Sequence, residues 1–349
     1  MVQIRLSLIV SCYNIENYIG LCLDSLLKQD ISYDQYEIIC INDCSTDNTR
    51  KIIQSYINLY KNLKVIDHEQ NRKLGATRNT GRFAAKGEYI WFIDGDDTIQ
   101  TNVLKKILSI CEREQLDELF FNHDRINESN IFIEKDTTFT TTTVCSGLDY
   151  VHKYFPNQLS RLSIVWNHVY RTEYLKINDF RSPEINMGED GPFAWRTLLN
   201  AKRVMSISDS CYVYRCNDFS MTTVFKNKPS NVKMFEKCFA SQKETALLYR
   251  DFRSRDSLIA EDLKNNIKWA VNSFRPILLD IYTLDEANFF YYYCKAHSET
   301  VVPLIEYLNK GNLGYVKSLN TRYLDFFTWR TKEKLKLKIK NIIYKNDNS

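Results

Sequence analysis

Apolar positions along the first 125 residues follow two alternating periods. Four short runs are mostly apolar, as expected for strands buried on both faces of a parallel sheet: Leu6–Val10, Glu37–Ile41, Leu63–Ile66 and Tyr89–Ile93. Between these runs apolar residues recur with the spacing of a helix face, around Ile19–Leu26, Ile52–Tyr60 and Leu104–Cys111. The alternation predicts an α/β fold, in which right-handed crossovers connect the strands of a mostly parallel sheet lying between helices.

The rest of the chain divides into a mixed region and a helical one. Residues Thr137–Thr143 are almost all threonine, which favours an extended connection over a helix. Glu189–Asn200 has the pattern of a helix, and Ser206–Arg215 has that of a strand. From Asn231 onward Gly and Pro are rare and long amphipathic patterns dominate. We therefore predict a boundary near residue 225, with an α/β domain over residues 1–225 and a mainly helical region over 226–349.

Acidic residues follow the fourth predicted strand at the edge of the sheet where ligands bind. Because ligands of open parallel sheets lie beyond the carboxyl ends of the strands, we expect the chemistry in the loops at 11–16, 42–48 and 94–98. The fourth run leads directly into Asp94-Gly95-Asp96-Asp97. Carboxylates this close repel one another, and such oxygen ligands suit Mg²⁺ or Mn²⁺ bridging to substrate phosphates. A solvated Asp-Gly turn is an equally good interpretation of this segment alone.

Other polar residues at predicted element ends are further candidates. Asp43 directly follows the second strand and could accept a hydrogen bond from a ligand N–H, such as the ring imide of uracil. Arg78 and Arg82 lie one helical turn apart; arginine suits diphosphate recognition, although a solvated basic face explains Arg82 better. Glu189 and Asp190 precede a helix whose dipole favours their ionised forms, so that one could be a general base, and capping is the alternative for Glu189.

Composition and charge exclude several classes of protein. The chain has 349 residues, of which 44% are apolar and 26% charged, unlike collagenous or disordered chains. Its ten cysteines form no CxxC pair and show no zinc-ligand spacing with histidine, which indicates reduced thiols in a cytoplasmic protein. The first residues hold an apolar run too short for a signal peptide, and no stretch approaches the roughly 18 apolar residues of a membrane-spanning helix.

The net charge of +4 is concentrated at the C-terminus. Residues 329–349 carry seven Lys or Arg against two acidic residues, so the rest of the chain is close to neutral and a broad nucleic-acid-binding face is not expected. The segment Trp329–Lys345 has the pattern of a basic amphipathic helix. It could lie on an anionic membrane surface, or it could be a solvated last helix that packs on its own domain.

Four segments together resemble the family 2 glycosyltransferases, which are inverting enzymes of the GT-A nucleotide-diphospho-sugar transferase fold. In chain order they read SCYNIENYIGLCLDSLLKQ, INDCSTDNT, NRKLGATRNTGRFAAKGEYIWFIDGDD and MGEDGPF. The resemblance is dense over residues 4–110 and looser over 160–225. It implies a GT-A catalytic domain over residues 1–225 and a divalent metal, Mn²⁺ or Mg²⁺, as cofactor.

The resemblance also implies roles for individual residues. It places six of them around a nucleotide-sugar donor: Ser11, Tyr13, Asp43, Arg78, Asp94 and Asp96. Of these, Asp96 would ligate the metal, and Arg78 would contact the base or the diphosphate. Asp190 would be the base that deprotonates the acceptor hydroxyl. Trp166, Glu189 and Arg215 are candidates for contacts to the acceptor or diphosphate, and a core position explains Trp166 equally well. Of the five histidines, only His168 is expected near the site.

The family pattern is incomplete at two places. Asn42-Asp43-Cys44-Ser45 has Cys44 where the family usually has glycine. The Gln-x-x-Arg-Trp motif of processive members does not follow the predicted base, which implies a single addition. The resemblance thus implies a non-processive hexosyl- or N-acetylhexosaminyltransferase that uses a UDP-sugar. It would act on a saccharide or lipid-linked saccharide during surface polysaccharide synthesis, in the cytoplasm at the inner face of the cell membrane.

Other functions remain open at the level of sequence. A catalytically silent subunit that binds a sugar nucleotide or serves as a scaffold would keep the same fold. A sugar-phosphate nucleotidyltransferase would need a glycine-rich loop after the first strand, where this chain has Ser-Cys-Tyr-Asn. A HAD-type phosphatase would need its paired aspartates after the first strand, whereas here they follow the fourth.

Overall fold

The four predicted strands form the parallel half of a mixed sheet. In the computed structural model, which describes residues 3–185, 188–216 and 232–267, they are β1 (Leu6–Cys12), β2 (Tyr36–Asn42), β3 (Leu63–Asp67) and β4 (Tyr89–Asp94). Their order is β3-β2-β1-β4, and each neighbouring pair is parallel. Every residue of β2 is buried. The expectation of a parallel sheet is confirmed, and β1, β2 and β4 are almost entirely buried, whereas the edge strand β3 is buried only at Leu63.

Five further strands extend the sheet beyond β4: β5 (Thr98–Ile99), β6 (Glu118–Ile126), β7 (Phe132–Lys135), β8 (His168–Arg171) and β9 (Val204–Arg215). β8 runs antiparallel between β4 and β6, and β9 runs parallel to β6 on its other side. β5 pairs with β9, and β7 pairs with the end of β6. The sequence predicted only β9 of these five, because the mixed region lacks a clear period.

Helices cover the sheet: α1 (Ile19–Leu27), α2 (Thr49–Ile57), α3 (Lys73–Ala84), α4 (Leu104–Glu114), α5 (Gly147–Tyr154), α6 (Thr172–Ile177) and α7 (Asp190–Asn200), with a short 3-10 helix at Leu159–Leu162. α1, α2, α4 and α7 match the predicted helical patterns, and residues 137–143 contain no helix, as expected. The apolar faces of α1 and α4 bury Leu23, Leu26, Leu104 and Leu108 completely against the strands. Each such side chain contributes about 1.5–3 kcal/mol through its burial.

The chain divides into two compact units, Met1–Asn227 and Lys228–Ser349. The described part of the second unit comprises α8 (Val232–Phe252) and a helical stretch over 257–267. Leu248, Phe252, Ile259 and Leu263 are buried there. No helix among the described residues is long and apolar enough to cross a membrane. The predicted basic tail, Trp329–Lys345, lies outside the described residues.

Candidate functional site

The carboxyl ends of β1, β2 and β4 meet at one edge of the sheet. Ser11 is in register with Asp94 across the β1–β4 pair, and Cys12 is in register with Asn42 across the β1–β2 pair. The backbone N–H of Asp43 donates to the carbonyl of Cys12 at 2.8 Å. The three loops in which we expect the chemistry therefore lie side by side.

The turn after β4, residues 94–97, is called the acidic turn here, and the buried carboxylate of its last residue stabilises it. Asp97 is 2% exposed, and its oxygens accept from the hydroxyl of Tyr212 at 2.8 Å and from the backbone N–H of Arg215 at 2.7 Å. The same hydroxyl accepts from the backbone N–H of Asp94 at 3.2 Å. Burial, with the charges of Asp96 and Asp94, raises the pKa of Asp97 well above its usual range. Asp97 thus shapes the turn, whereas Asp94 and Asp96 are only half-buried.

Arg215 lies behind this turn. Its guanidinium is buried, donating from Nε to the carbonyl of Asp96 at 3.1 Å and from Nη1 to the side-chain oxygen of Asn130 at 2.8 Å. Its Cζ lies 5.3 Å from the centre of the Tyr18 ring. This arrangement favours a role in supporting the acidic turn over the predicted direct contact with a diphosphate.

Arg78 connects the acidic turn to the Glu189-Asp190 motif. This α3 side chain is 1% exposed and forms ion pairs with three carboxylates. Nη1 contacts Asp190 closely and lies 3.6 Å from Oε1 of Glu189, while Nη2 lies 3.4 Å from Oδ1 of Asp94. Burial alone lowers the pKa of Arg78, but the three carboxylates outweigh it and raise that pKa overall. Two motifs more than ninety residues apart in the chain are thus brought to one guanidinium.

The carboxylates around Arg78 differ in their access to solvent. Glu189 has a side chain only 5% exposed, and its pKa is raised to about 8 by burial and by the charge of Asp190. Burial, opposed by Arg78, raises the pKa of Asp94 to about 6. Asp190 is the first residue of α7 and its side chain is 34% exposed. Asp190 is therefore the member of its motif that solvent can reach.

Close packing of α3 brings the Glu189-Asp190 motif to the site. The side chain of Asn79 donates to the carbonyl of Ser182 and accepts from its N–H, both at 2.9 Å. A Cβ added at Gly75 would lie 2.1 Å from the carbonyl oxygen of Pro183, so only glycine allows this approach of backbone to backbone. The glycine and asparagine of the predicted helical segment therefore hold the chain just before the motif.

Asp43 anchors the start of α3. It is 2% exposed, and its oxygens accept from the backbone N–H groups of Arg72 and Lys73, each at 2.8 Å. Nδ1 of His68 lies 2.7 Å from Oδ1 of Asp43, and Nε2 lies 2.9 Å from the hydroxyl of Thr80. The sequence analysis missed His68, although its position directly after β3 places it at the ligand-binding edge.

The expectation that His168 lies near the site is wrong. His168 is completely buried in the core, where its ring lies 3.8 Å from that of Phe120 and its Nδ1 lies 3.0 Å from the hydroxyl of Tyr170. Burial lowers the pKa of His168 well below its usual range. It therefore packs as a neutral core side chain.

Three other candidates differ in exposure. Tyr13 is 47% exposed at the end of β1, so its ring is open to a ligand. Ser11 is half-buried, with its hydroxyl 2.8 Å from that of Thr77. Trp166 is 7% exposed and stacks on Tyr212 with ring centres 4.4 Å apart. This burial favours the core interpretation of Trp166 over stacking on a sugar.

The acidic turn fits a divalent cation whose coordination is completed by a substrate. No group of three or more His, Cys, Asp or Glu with the geometry of a metal site occurs within residues 3–185, 188–216 and 232–267. Mg²⁺ and related cations are commonly held by one or two carboxylates, with substrate phosphates and water supplying the other ligands. The half-buried Asp94 and Asp96 offer such a partial ligand set.

Comparisons with known proteins show what the chain is similar to. The model of the family described as glycosyl transferase family 2 matches residues 7–180. The chain is 32% identical over 224 residues to the uncharacterized glycosyltransferase EpsJ of Bacillus subtilis, covering 62% of this chain and 63% of EpsJ. It is 30% identical over 259 residues to the putative glycosyltransferase EpsH of the same organism, covering 72% of this chain and 73% of EpsH.

A third relative has a known structure. The poly(ribitol-phosphate) beta-N-acetylglucosaminyltransferase TarS of Staphylococcus aureus is 33% identical over 216 residues, which are 61% of this chain and 35% of TarS. The chain thus spans less than two thirds of EpsJ and about a third of TarS. The crystal structure of TarS residues 1–349 with UDP-GlcNAc superposes with a TM-score of 0.68 at 24% identity, covering 96% of this chain and 92% of that one. The two chains share their fold.

Proposed function

The chain belongs to glycosyl transferase family 2, and from this membership we propose that it transfers a single sugar from a UDP-sugar to a saccharide or lipid-linked saccharide with inversion. Two comparisons support this choice of donor and acceptor. A crystal structure of TarS contains UDP-GlcNAc, and TarS is named for acting on poly(ribitol-phosphate). We therefore propose UDP-GlcNAc as the first donor to test and a surface polysaccharide as the acceptor class.

One observation carries the proposal: the half-buried, solvent-accessible carboxylate of Asp190 lies against the same guanidinium as Asp94, at the carboxyl ends of the strands. Direct displacement with inversion needs one carboxylate, which removes the proton of the acceptor hydroxyl on the face opposite the leaving group. Asp190 has the exposure for this step. A general base of this kind typically contributes about 10²–10⁴ in rate.

The donor would lie across the ends of β1, β2 and β4. Tyr13 offers an open ring for stacking on the base. Asp43 uses Oδ2 for a single bond, to the N–H of Lys73, so this oxygen has the capacity to accept a second bond from the base. Ser11 and Asp94 lie in register beside it and are proposed to contact the nucleoside.

Asp94 and Asp96 are proposed to hold a divalent cation together with the donor phosphates. When bound, Mn²⁺ or Mg²⁺ would stabilise the negative charge of the leaving diphosphate. Asp97, Tyr212 and the backbone N–H of Arg215 hold the turn that carries these two carboxylates. The chain's own contribution is thus a preformed acidic turn at the sheet edge.

We propose a cytoplasmic location at the inner face of the cell membrane, where lipid-linked acceptors would be found. The charge pattern of Trp329–Lys345 supports it. Sedimentation of the chain with anionic vesicles, compared with a chain ending at residue 328, tests this proposal. Equal sedimentation of the two chains would contradict it.

Nucleotide release from a panel of UDP-, GDP- and dTDP-sugars tests the transferase proposal. We expect slow hydrolysis of one UDP-sugar with Mn²⁺, loss of this hydrolysis with EDTA, and loss in Asp96→Ala and Asp190→Ala. Asp34→Ala, an exposed residue before β2, is the control and should hydrolyse the sugar nucleotide at the rate of the unmodified chain.

Two outcomes would contradict the proposal. Binding of UDP by calorimetry without turnover, even with poly(ribitol-phosphate) as acceptor, would favour the catalytically silent subunit. Absence of both turnover and metal-dependent UDP binding would remove the transferase proposal and leave a scaffold.

A further inference from the structure

His68 lies directly after β3 and contacts the carboxylate of Asp43 at the ligand-binding edge of the sheet. We propose that His68 is a positioning residue, which fills one oxygen of Asp43 and leaves the other to accept a single N–H from the donor base. This arrangement selects a base with one imide N–H, such as uracil, over guanine, which presents two N–H donors side by side. The inference rests on the proposed function, in which Asp43 contacts the base.

The register of β2 and β3 places His68 beside Asp43. Asn42 is in register with Asp67, so the residues that follow them, Asp43 and His68, are neighbours. The backbone N–H of His68 donates to the carbonyl of Asn42 at 2.9 Å. The side chains of His68 and Asp43 are only 5% and 3% exposed, so water competes little for the bond between them. The contact is therefore built into the edge of the sheet.

The two ring nitrogens of His68 have defined roles. Nδ1 lies 2.7 Å from Oδ1 of Asp43, and because a carboxylate oxygen only accepts, Nδ1 carries the proton of this bond. Nε2 lies 2.9 Å from the hydroxyl of Thr80 on α3, which can donate or accept. Nδ1 is therefore a donor whether the ring is neutral or protonated, and the ring is held at both nitrogens.

The hydrogen bonds of Asp43 leave one acceptor position unfilled. Each carboxylate oxygen accepts about two hydrogen bonds. Oδ1 accepts from Nδ1 of His68 at 2.7 Å and from the backbone N–H of Arg72 at 2.8 Å, and is thereby filled. Within the part of the chain that the structure describes, Oδ2 accepts only from the N–H of Lys73, at 2.8 Å. One further N–H can therefore bond to Asp43, and it must approach Oδ2.

This single acceptor position distinguishes the nucleobases by their donors. Uracil presents one N–H, at N3, and one acceptor satisfies it. Guanine presents the N–H of N1 and that of its amino group on the same side, and a carboxylate pairs with both only through two free oxygens. With Oδ1 filled by His68, one guanine donor would stay unpaired in surroundings shielded from water, which weakens binding. His68 thus disfavours guanine by acting through Asp43.

His68→Leu tests the proposal, because leucine removes the N–H donor and keeps a side chain of substantial size. The measurements are the Kd values of UDP and GDP with Mn²⁺ by calorimetry. The two nucleotides share ribose and diphosphate, so the ratio of their Kd values reports on the base. We expect the unmodified chain to bind GDP at least about 10²-fold more weakly than UDP. His68→Leu should narrow this ratio about tenfold, the usual effect of one hydrogen bond to a charged group.

His68→Asn is the rescue variant. The amide nitrogen of asparagine lies close to the place of Nδ1 and can donate to Asp43, so the ratio should stay close to that of the unmodified chain. A purely structural role of His68 would weaken UDP and GDP together and leave their ratio unchanged. His152→Leu, at an exposed histidine of α5, is the matched control and should change neither Kd.

Three results would overturn the proposal. They are an unchanged ratio in His68→Leu, an equal narrowing in His68→Leu and His68→Asn, and equal binding of UDP and N3-methyl-UDP by the unmodified chain. N3-methyl-UDP lacks the imide N–H, and we expect it to bind at least about tenfold more weakly than UDP. If His68→Leu does not fold, His68→Gln replaces it, because the longer side chain places its amide beside Thr80 and away from Asp43.

Failure of this inference is distinguishable from failure of the proposed function. If the unmodified chain binds neither UDP nor GDP, the proposed donor is wrong and the inference is overturned with it. If the chain binds UDP and releases it from UDP-GlcNAc, but the ratio of Kd values does not depend on the side chain at position 68, only the inference is overturned and the transferase proposal stands.

Discussion

Single residues in this site are distinguished by burial rather than by chemical type. Asp97 is buried and shapes its turn, while the preceding Asp96 is half-buried. Glu189 is likewise buried against Arg78, and the following Asp190 is accessible. In each adjacent pair one carboxylate supports the structure and the other is open to ligands. Residue type alone could not have divided these roles.

Cys44 is a residue whose backbone conformation opposes its side chain. Its φ is 60°, in the left-handed region where the family usually has glycine. An L-residue in this conformation costs roughly 1–2 kcal/mol, and glycine removes that cost. About 0.5–1 kcal/mol of the gain in stability is lost again, because glycine makes the unfolded chain more flexible. We expect Cys44→Gly to raise the free energy of unfolding by about 0.5–1 kcal/mol in urea titrations.

Cys44→Ala is the control for the thiol. It keeps the Cβ in the left-handed conformation but removes the contact from Sγ to the carbonyl of Glu69. We expect no stabilisation from alanine. Equal stabilisation by alanine and glycine would show that the thiol, and not the backbone, is responsible.

At the scale of elements, α3 organises the site. Its first turn is anchored by Asp43 of the β2 loop, its middle carries Arg78, and Asn79 and Gly75 receive the segment before α7. A helix that contacts the donor-side and acceptor-side loops at once converts two separate motifs into one site. The position of the segment before α7 depends on the close approach of its backbone to Gly75.

Gly75→Ala should therefore disturb both stability and turnover. The added Cβ would lie 2.1 Å from the carbonyl oxygen of Pro183, so the segment over 182–184 must move away from α3. We expect a loss of about 1–3 kcal/mol in the free energy of unfolding. We also expect a fall of about 10–10²-fold in kcat for UDP-GlcNAc hydrolysis, because Asp190 is displaced.

Gly20→Ala is the matched control, a second glycine to alanine change within a helix. The nearest atom to its added Cβ is the hydroxyl of Tyr56 at 3.6 Å, an ordinary contact. Alanine should be tolerated or mildly stabilising at this position in α1. A Gly75→Ala variant as stable and active as Gly20→Ala would show that the chain before α7 does not depend on close packing with α3.

At the scale of the whole molecule, the two edges of the parallel sheet serve different purposes. The candidate site lies at the carboxyl edge. At the amino edge, the buried Glu37 accepts from Ser7 Oγ at 2.7 Å, Lys64 Nζ at 2.8 Å and the N–H of Lys86 at 2.7 Å. Burial favours the neutral form of Glu37, but these hydrogen bonds outweigh it and lower its pKa. This edge therefore stabilises the fold without taking part in the chemistry.

The lowered pKa of Glu37 predicts how stability depends on pH. Because the folded chain holds Glu37 ionised more readily than the unfolded chain does, its contribution is fully present above the ordinary glutamate pKa of about 4.3 and is lost as pH falls below that value. We expect Glu37→Gln to be about 1–3 kcal/mol less stable than the unmodified chain at pH 7, and this difference to shrink towards pH 3.5.

Urea unfolding between pH 7 and pH 3.5 measures this difference. Glu134→Gln is the control, a strand glutamate that is 55% exposed, and it should show little change at any pH. A constant difference between Glu37→Gln and the unmodified chain across this range would contradict the prediction. Hydrolysis of UDP-GlcNAc by Glu37→Gln at pH 7 should keep the unmodified kcat, because the residue lies at the opposite edge of the sheet from Asp94 and Asp190.

Regular periods made much of the fold predictable from sequence. The apolar runs of β1–β4 and the apolar faces of α1, α2, α4 and α7 could be recognised in the sequence, because the spacing of apolar residues along the chain indicates which positions are buried. β6, β7 and β8 were not predicted, because they pair within a mixed region where only tertiary contacts decide the register. β7 is exposed along its whole length and offers no apolar period at all.

The sequence by itself determined the α/β class, the family, and the motifs at the ends of the strands, because all of these are local patterns of residue type and spacing. Only the tertiary structure decided the grouping of Asp94, Glu189 and Asp190 around Arg78, the contact of His68 with Asp43, and the burial of Trp166 and Arg215. The physical reason is the same in each case. Charge pairing and burial depend on distances between residues far apart in the chain, which the packing of α3 and the register of the strands establish.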